Sequence, residues 1–239
     1  MSVYFNRKKP KNILVSLVNR VCNLPLASNK FKLKLFLNLE WIFARLSHEY
    51  SFRSYSPLNH PVRLTAKDFL LKHISKESKV IDLGCNLGEN SYMIAQEANY
   101  VVGVDHNSNA IKKAISRYKS GNLTFICDDA LHFLENSTEK YDVLILSHIL
   151  EHIDDPKDFL KKFARFFSLL YIEVPDWDST FLNQYRIDQN LKLIYTDNDH
   201  VVEFDRIKLV ELFKECGLTA IDSQYIYGVQ KYWCTTTKK

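Results

Sequence analysis

The chain lacks any run of the 18 or so apolar residues that a membrane-crossing helix needs, so no span is expected. It also lacks a Cys-x-x-Cys pair. Cys22, Cys85, Cys127, Cys216 and Cys234 are odd in number and scattered, which argues against a disulfide framework and a cysteine-based zinc site. Such usage fits a reducing cytoplasm. Cys85 and Cys127 fall at the ends of expected strands, where a small buried thiol is expected. There is no internal repeat and no low-complexity tract. No Gly-Lys-Ser/Thr triplet occurs either, which excludes a Walker-type phosphate cradle. Residues 1–28 mimic a secretory leader only in part. Arg7-Lys8-Lys9 precedes a short apolar stretch, but Asn19 and Arg20 interrupt it before Pro25-Leu26-Ala27-Ser28. A leader is therefore not expected.

What is present suffices for one α/β domain with an extension: 239 residues, 46% of them apolar. The net charge of +4 is unevenly placed. Residues 1–53 hold ten Lys/Arg against only Glu40 and Glu49, about +8, which leaves about −4 on residues 54–239. A basic leader on a mildly acidic body suggests contact with an anionic surface: membrane, nucleic acid or a partner. The plainer alternative is a solvated basic helix.

Residues 1–12 are polar and basic and read as mobile. Apolar periodicity predicts helices over 13–22 and 31–46. The second carries a wide face of Phe31, Leu35, Leu39, Ile42 and Leu46, suited to packing on the main domain, covering the active site or lying on a bilayer. Residues 50–61 read as an aromatic, proline-containing linker and 63–74 as a helix. Strands at 80–83, 100–105, 123–127, 141–147 and 169–174 then alternate with helices at 89–98, 108–118 and 156–167. A long connection over 176–202 precedes a helix at 205–216, stopped by Gly217. Strands at 220–226 and 230–236 around Gly228 suit an antiparallel hairpin. The expected fold is α/β: a doubly wound, mostly parallel, seven-stranded Rossmann-like sheet with a terminal antiparallel hairpin and an N-terminal helical extension. The expected division is 1–60 for the extension and linker and 61–239 for the domain.

The chemistry-bearing stretch is Val80-Ile81-Asp82-Leu83-Gly84-Cys85-Asn86-Leu87-Gly88-Glu89, the first strand-turn-helix. A dinucleotide loop has Gly-x-Gly-x-x-Gly, so that backbone amides reach a pyrophosphate. Here Asn86 takes the middle position, and Glu89 stands where the helix would receive an anion. That carboxylate would repel a diphosphate and suits a ligand with a positive centre. Asp105, 21 residues after Gly84 at the end of the second strand, is placed to grip two ribose hydroxyls. A ribose without phosphates points to S-adenosylmethionine.

With Gly103-Val104-Asp105, Cys127-Asp128-Asp129-Ala130 and the run from Tyr141 through Ser147-His148-Ile149-Leu150-Glu151-His152, the sequence resembles the class I S-adenosylmethionine-dependent methyltransferases over about residues 65–239. It is most similar to the small-molecule subgroup with Leu-Glu-His after strand four. The resemblance implies that Asp82, Gly84 and Gly88 border the methionine end. It implies that Asp105 binds the ribose, His106 lies against the adenine and Asp129 accepts the adenine amino group, with Ala130 contributing backbone. It implies that Ser147 offers its carbonyl to the ammonium. Asn86 departs from the family's usual glycine, although asparagine tolerates left-handed backbone better than most residues.

Methyl transfer to a hydroxyl needs alignment and a proton acceptor, and an imidazole near its ordinary pKa suits that work. His152 after strand four and His200 at the end of the long connection are the candidates, with His148 and Asp176 nearby. His148-x-x-Glu151-His152 also spells a zinc-peptidase pattern, but it follows a strand directly and a new element begins at Pro156, so no metal is expected. Asp154-Asp155 reads as a helix cap. The Asn/Asp-Pro-Pro-aromatic motif of amino-nucleobase methyltransferases and the Pro-Cys of cytosine-C5 enzymes do not occur, which weakens nucleic acid as substrate. Trp177, Phe181, Tyr185 and Tyr195 among polar residues suit a polyhydroxylated acceptor. The expectation is an O-methyltransferase of a small or carrier-linked molecule such as a cell-surface glycan or its precursor. It would be cytoplasmic, with peripheral contact to the inner membrane face through the basic N-terminus. The rivals are a tRNA or protein methyltransferase docking through that leader and a non-enzymatic methyltransferase-like binding subunit.

Overall fold

The computed structural model describes residues 12–194 and 196–236. The basic stretch expected to be mobile lies almost wholly outside the described residues, as does Tyr195. Two helices, α1 (Ile13–Cys22) and α2 (Asn29–Ser54), precede α3 (Pro61–Leu71). Strands β1 (Lys79–Leu83), β2 (Tyr100–Asp105), β3 (Leu123–Cys127), β4 (Val143–Ser147) and β5 (Leu169–Pro175) follow. Between and after them run α4 (Glu89–Ala95), α5 (Ser108–Arg117), α6 (Ala130–Asn136) and α7 (Pro156–Ala164). Next come α8 (Leu182–Asp188), α9 (Arg206–Glu215), β6 (Leu218–Ile226) and β7 (Val229–Thr236). The seven-stranded sheet has the order β3-β2-β1-β4-β5-β7-β6, parallel from β3 through β5 and antiparallel for the last two. The doubly wound Rossmann-like fold is thus as expected.

The strands are apolar on both faces because both faces are covered. Their period of two divides the core. Ile81, Leu83, Leu144 and Leu146 pack with Leu160 and Phe163 of α7 and with Leu209 and Phe213 of α9. On the other face Val80, Val143 and Ile145 meet Phe69 and Leu70 of α3 and Met93 and Ile94 of α4. Trp233 of β7 closes that side and donates its ring N–H to the Phe69 carbonyl at 2.8 Å. Strand order reverses between β1 and β4, and the crevice at their carboxyl ends is where such sheets take ligands.

Several boundaries differ from the periodicity. α2 begins at Asn29, because the Ser28 hydroxyl caps it by accepting from the Phe31 amide at 3.2 Å, and it runs on to Ser54 through half of the expected linker. Its added turns are held by an Arg53–Glu49 ion pair and by Phe52 stacked on His60, ring centroids 4.2 Å apart. The long connection contains α8, whose inward side chains are the polar Asn183 and Arg186. α4 and α7 stop about one turn early, and β4 starts at Val143. Cys127 is exposed rather than buried, since β3 lies at the sheet edge.

α2 is fastened to the domain. Arg186, itself buried, donates to Asn183 Oδ1 at 2.7 Å and pairs with Glu40, while Arg45 pairs with Asp197. Removing the Glu40 carboxylate strands a buried guanidinium. Glu40→Ala is expected to cost about 1–2 kcal/mol and to raise amide exchange in residues 29–54, leaving the strands protected in hydrogen-exchange measurements.

Candidate active site

The turn after β1 is built on left-handed backbone. Gly84 (φ 68°), Asn86 (φ 47°) and Gly88 (φ 84°) all lie in that region, so Asn86 takes the conformation for which asparagine is tolerated. At Gly84 a Cβ would fall 2.2 Å from Ile149 Cδ1. The Gly84 and Cys85 amides donate to the Val104 carbonyl at 2.8 and 3.1 Å, tying the turn to β2. Asp105 completes the tie. One carboxylate oxygen accepts from the Asn86 amide at 2.9 Å and the other from the Asn107 amide at 2.8 Å.

Around these loops lies a cavity of about 880 Å³. It gathers Gly84, Asn86, Asp105, His106, Asp129, Ala130 and His152 of the residues singled out from sequence. Asp128, Asp154, Asp155, Asp158 and Asp199 also line it, against Lys162. A wall this acidic repels phosphate and suits a ligand carrying ammonium and sulfonium charge, so the residues present fit S-adenosylmethionine. Asp129 doubles as the cap of α6, one oxygen accepting from the His132 amide at 2.9 Å. Asp155 caps α7, accepting from the Asp158 amide at 2.9 Å, as expected for that acidic pair.

Asp82 and Gly88, expected at the methionine end, do not line this cavity. Asp82 is buried behind the turn, where Ser91 Oγ donates to it at 2.6 Å, and Gly88 abuts Phe125. Burial pushes the Asp82 carboxyl up to about 7. Ser147 and His200 line a second cavity of about 370 Å³. Its walls also include His48 and Phe52 of α2, His60, Arg63 and Lys67 beside or on α3, and Tyr227. The two cavities share His148, His152 and Asp199 and so meet at the end of β4. Trp177, Phe181 and Tyr185 line neither.

The histidines at the junction differ in their commitments. His148 (φ 56°) places Nδ1 2.9 Å from Glu151 Oε1 and Nε2 3.3 Å from Glu173 Oε1. Burial opposes its charge, but the two carboxylates outweigh it and raise its pKa. His200 has Nδ1 3.1 Å from Glu203 Oε1; burial again opposes charge, and the bond to Glu203 prevails to raise its pKa. His152 has Nδ1 3.2 Å from the Asp199 carbonyl, which fixes the proton there and leaves Nε2 with a lone pair. Its ring meets that of His200 edge-on at 4.9 Å. The ligand atoms of Glu151, His152 and His200 come within 4.8 Å of one another, a set that local spacing did not reveal because His200 comes from the long connection. Sequence reasoning also missed His48, Phe52 and Glu173, since only the tertiary fold brings them to this wall.

A seven-stranded sheet of this order, with its ligand cavity at the β1–β4 switch, defines the Rossmann-like methyltransferase class. The family described as "Methyltransferase domain" matches residues 58–223, and the chain belongs to it, among the class I S-adenosylmethionine-dependent methyltransferases. The chain is 29% identical over 110 residues to a ubiquinone biosynthesis O-methyltransferase of Coxiella burnetii, a match covering 45% of this chain and 45% of that protein. The chain thus spans less than half the length of that relative. The N-methyltransferase NodS of Bradyrhizobium japonicum WM9, solved with S-adenosyl-L-homocysteine, superposes with a TM-score of 0.57 at 14% identity, covering 75% of this chain and 90% of that one. Magnesium protoporphyrin IX methyltransferase of Synechocystis PCC 6803 superposes at 0.53 and 14% identity, covering 93% and 94%.

Two outcomes follow from this geometry. Asn86→Gly is expected to fold with little change, whereas Asn86→Val forces a β-branched residue into left-handed backbone and costs about 1–3 kcal/mol in urea unfolding. Asp82 has a folded pKa of about 7 against 3.8 for the free side chain, so it favours the folded state at low pH and loses that contribution as pH rises from about 4 to about 7. Asp82→Asn is expected to flatten the pH slope of unfolding free energy across that window.

Proposed function

We propose that this protein transfers the methyl group of S-adenosylmethionine to a hydroxyl of a small acceptor. The observation that carries the reading is the meeting of two cavities at His148 and His152, one acidic and built on the β1 turn, the other walled by histidines and apolar side chains together with charged groups of both signs. In this reading Asp105 takes the ribose hydroxyls on the outer lone pairs of oxygens already fixed by two amides. Asp129 keeps an oxygen free of the α6 cap for the adenine amino group, with His106 and Ala130 beside it. When bound, the cofactor supplies an electrophilic methyl and a neutral thioether leaving group. The chain aligns the acceptor, excludes water and receives the acceptor's proton.

Among the bases expected from sequence, His200 is the weaker candidate, because its Nδ1 is held 3.1 Å from Glu203 Oε1 and 2.9 Å from Thr196 Oγ1. The curated relative's name favours an oxygen nucleophile. Phe52, Leu70, Met93 and Tyr227 in the second cavity favour a hydroxylated aromatic ring over the glycan expected from composition, since Trp177, Phe181 and Tyr185 of the long connection do not line it. We keep the division at residue 60 as part of this reading, supported by a family match that begins at 58. Peripheral contact with an anionic bilayer fits α1, whose Ile13, Leu14, Leu17, Val18 and Val21 are exposed beside Arg20. No helix among the described residues is long and apolar enough to cross a membrane.

Titration calorimetry with S-adenosylmethionine and S-adenosylhomocysteine tests the reading. Binding is expected for the parent, with Asp105→Ala weakened about tenfold to a hundredfold through lost charged hydrogen bonds. Equal binding by the two proteins, or none by the parent, sinks it.

A further inference from the structure

The second cavity needs a group that can receive a proton, and most of its imidazoles are already committed. His148 is clamped between two carboxylates, and His200 is held by Glu203. His60 is buried, stacked on Phe52, with Nε2 3.0 Å from Ser51 Oγ. The Ser51 hydroxyl donates to the His48 carbonyl at 2.7 Å, so it accepts from His60, whose Nε2 carries the proton; His60 Nδ1 is buried without a partner among the described residues, so a proton taken there has no path to solvent. His152 has a free Nε2, but it stands at the junction, where the sulfonium charge would lie and where His200 is 4.9 Å away. Charging it there sets a further cation beside the sulfonium and the clamped, cationic His148.

His48 differs from all of these. It reaches the cavity wall from α2, and among the described residues no hydrogen bond engages either ring nitrogen. The charged and titratable groups facing it are Arg45 of its own helix, Asp197 of the long connection, His60 before α3 and His148 after β4. Burial chiefly, then Arg45 and His148, lower its pKa, so the ring is neutral at pH 7. Its outer side is open to solvent, which gives a captured proton a way out.

We propose that His48 is the general base of this methyltransferase, supplied to the acceptor cavity by a helix that precedes the family-matched segment. The acceptor's O–H proton passes to a ring nitrogen of His48 as the oxygen bonds to the methyl carbon. The carbon–sulfur bond breaks with its electron pair going to sulfur, and the imidazolium then releases its proton to water. This step rests on the methyl-transfer reading above.

The test compares the full-length parent with His48→Gln and His152→Gln, using S-adenosylmethionine and 4-methylcatechol as the acceptor probe. His48→Gln is expected to bind S-adenosylmethionine as the parent does in calorimetry and to melt at the same temperature. Its kcat is expected to fall about a hundredfold or more. The parent's kcat should decline as pH drops through the His48 pKa, below 6.5, and His48→Gln should lose that limb and rise steadily with pH. A His48→Gln enzyme that keeps the parent's kcat and acid limb overturns the proposal, doubly so if His152→Gln loses both. If the parent binds the cofactor but does not turn over this probe, imidazole NMR titration decides. A His48 resonance titrating below 6.5 and shifting when 4-methylcatechol is added supports the role, and one titrating at or above 6.5 overturns it. A parent that fails to bind S-adenosylmethionine brings down the functional reading itself, and this inference with it.

Discussion

The interaction on which the rest depends is the double use of the Asp105 carboxylate. Each oxygen accepts one backbone amide, from Asn86 on the β1 turn and Asn107 on the β2 turn, so one side chain sets the spacing of two loops from neighbouring strands. Charge-assisted bonds to amides are among the stronger ones available to a folded chain. They also explain why the turn tolerates three left-handed positions, 84, 86 and 88: the Asn86 amide is met by a carboxylate rather than by water. The cavity opens where those loops diverge, so donor-side geometry is a property of the sheet and not of mobile side chains.

The second half of the site is organised by charge. Glu151, fully buried, and Glu173 hold His148 between them, and Tyr171 and Lys231 back Glu173 from within the sheet. A buried network of this kind stays favourable only when its members are paired. It holds His148 cationic where the two cavities meet.

Much of the domain was legible in the sequence because parallel strands buried on both faces read as short β-branched runs, as in Val80–Ile81 and Val143–Ile145. Asn86 was legible too, since few residues accept its backbone. The last turns of α2 were not, because Tyr50 and Phe52 break the apolar period, and those turns are held by Phe52 stacked on His60 from beyond the helix and by the Arg53–Glu49 pair. α8 escaped notice for the opposite reason: its buried face is polar, Asn183 and Arg186, so its pattern points outward. The His148 clamp was invisible because Glu173 reaches it only through the β4–β5 register that sets Ser147 beside Glu173. Asp82 and Gly88 stand behind the cavity lining, against Ser91 and Phe125, a placement that adjacency along the chain does not record.

His48 and Phe52 stand ahead of the stretch that the family model matches, on a helix whose ion pairs run to α8 and to the long connection. A change in that wall would leave the β1 turn, pinned by Asp105, undisturbed. Two such chains can inherit the same chemistry and still come to prefer different molecules, by drift in a segment that comparison of their shared domains would overlook.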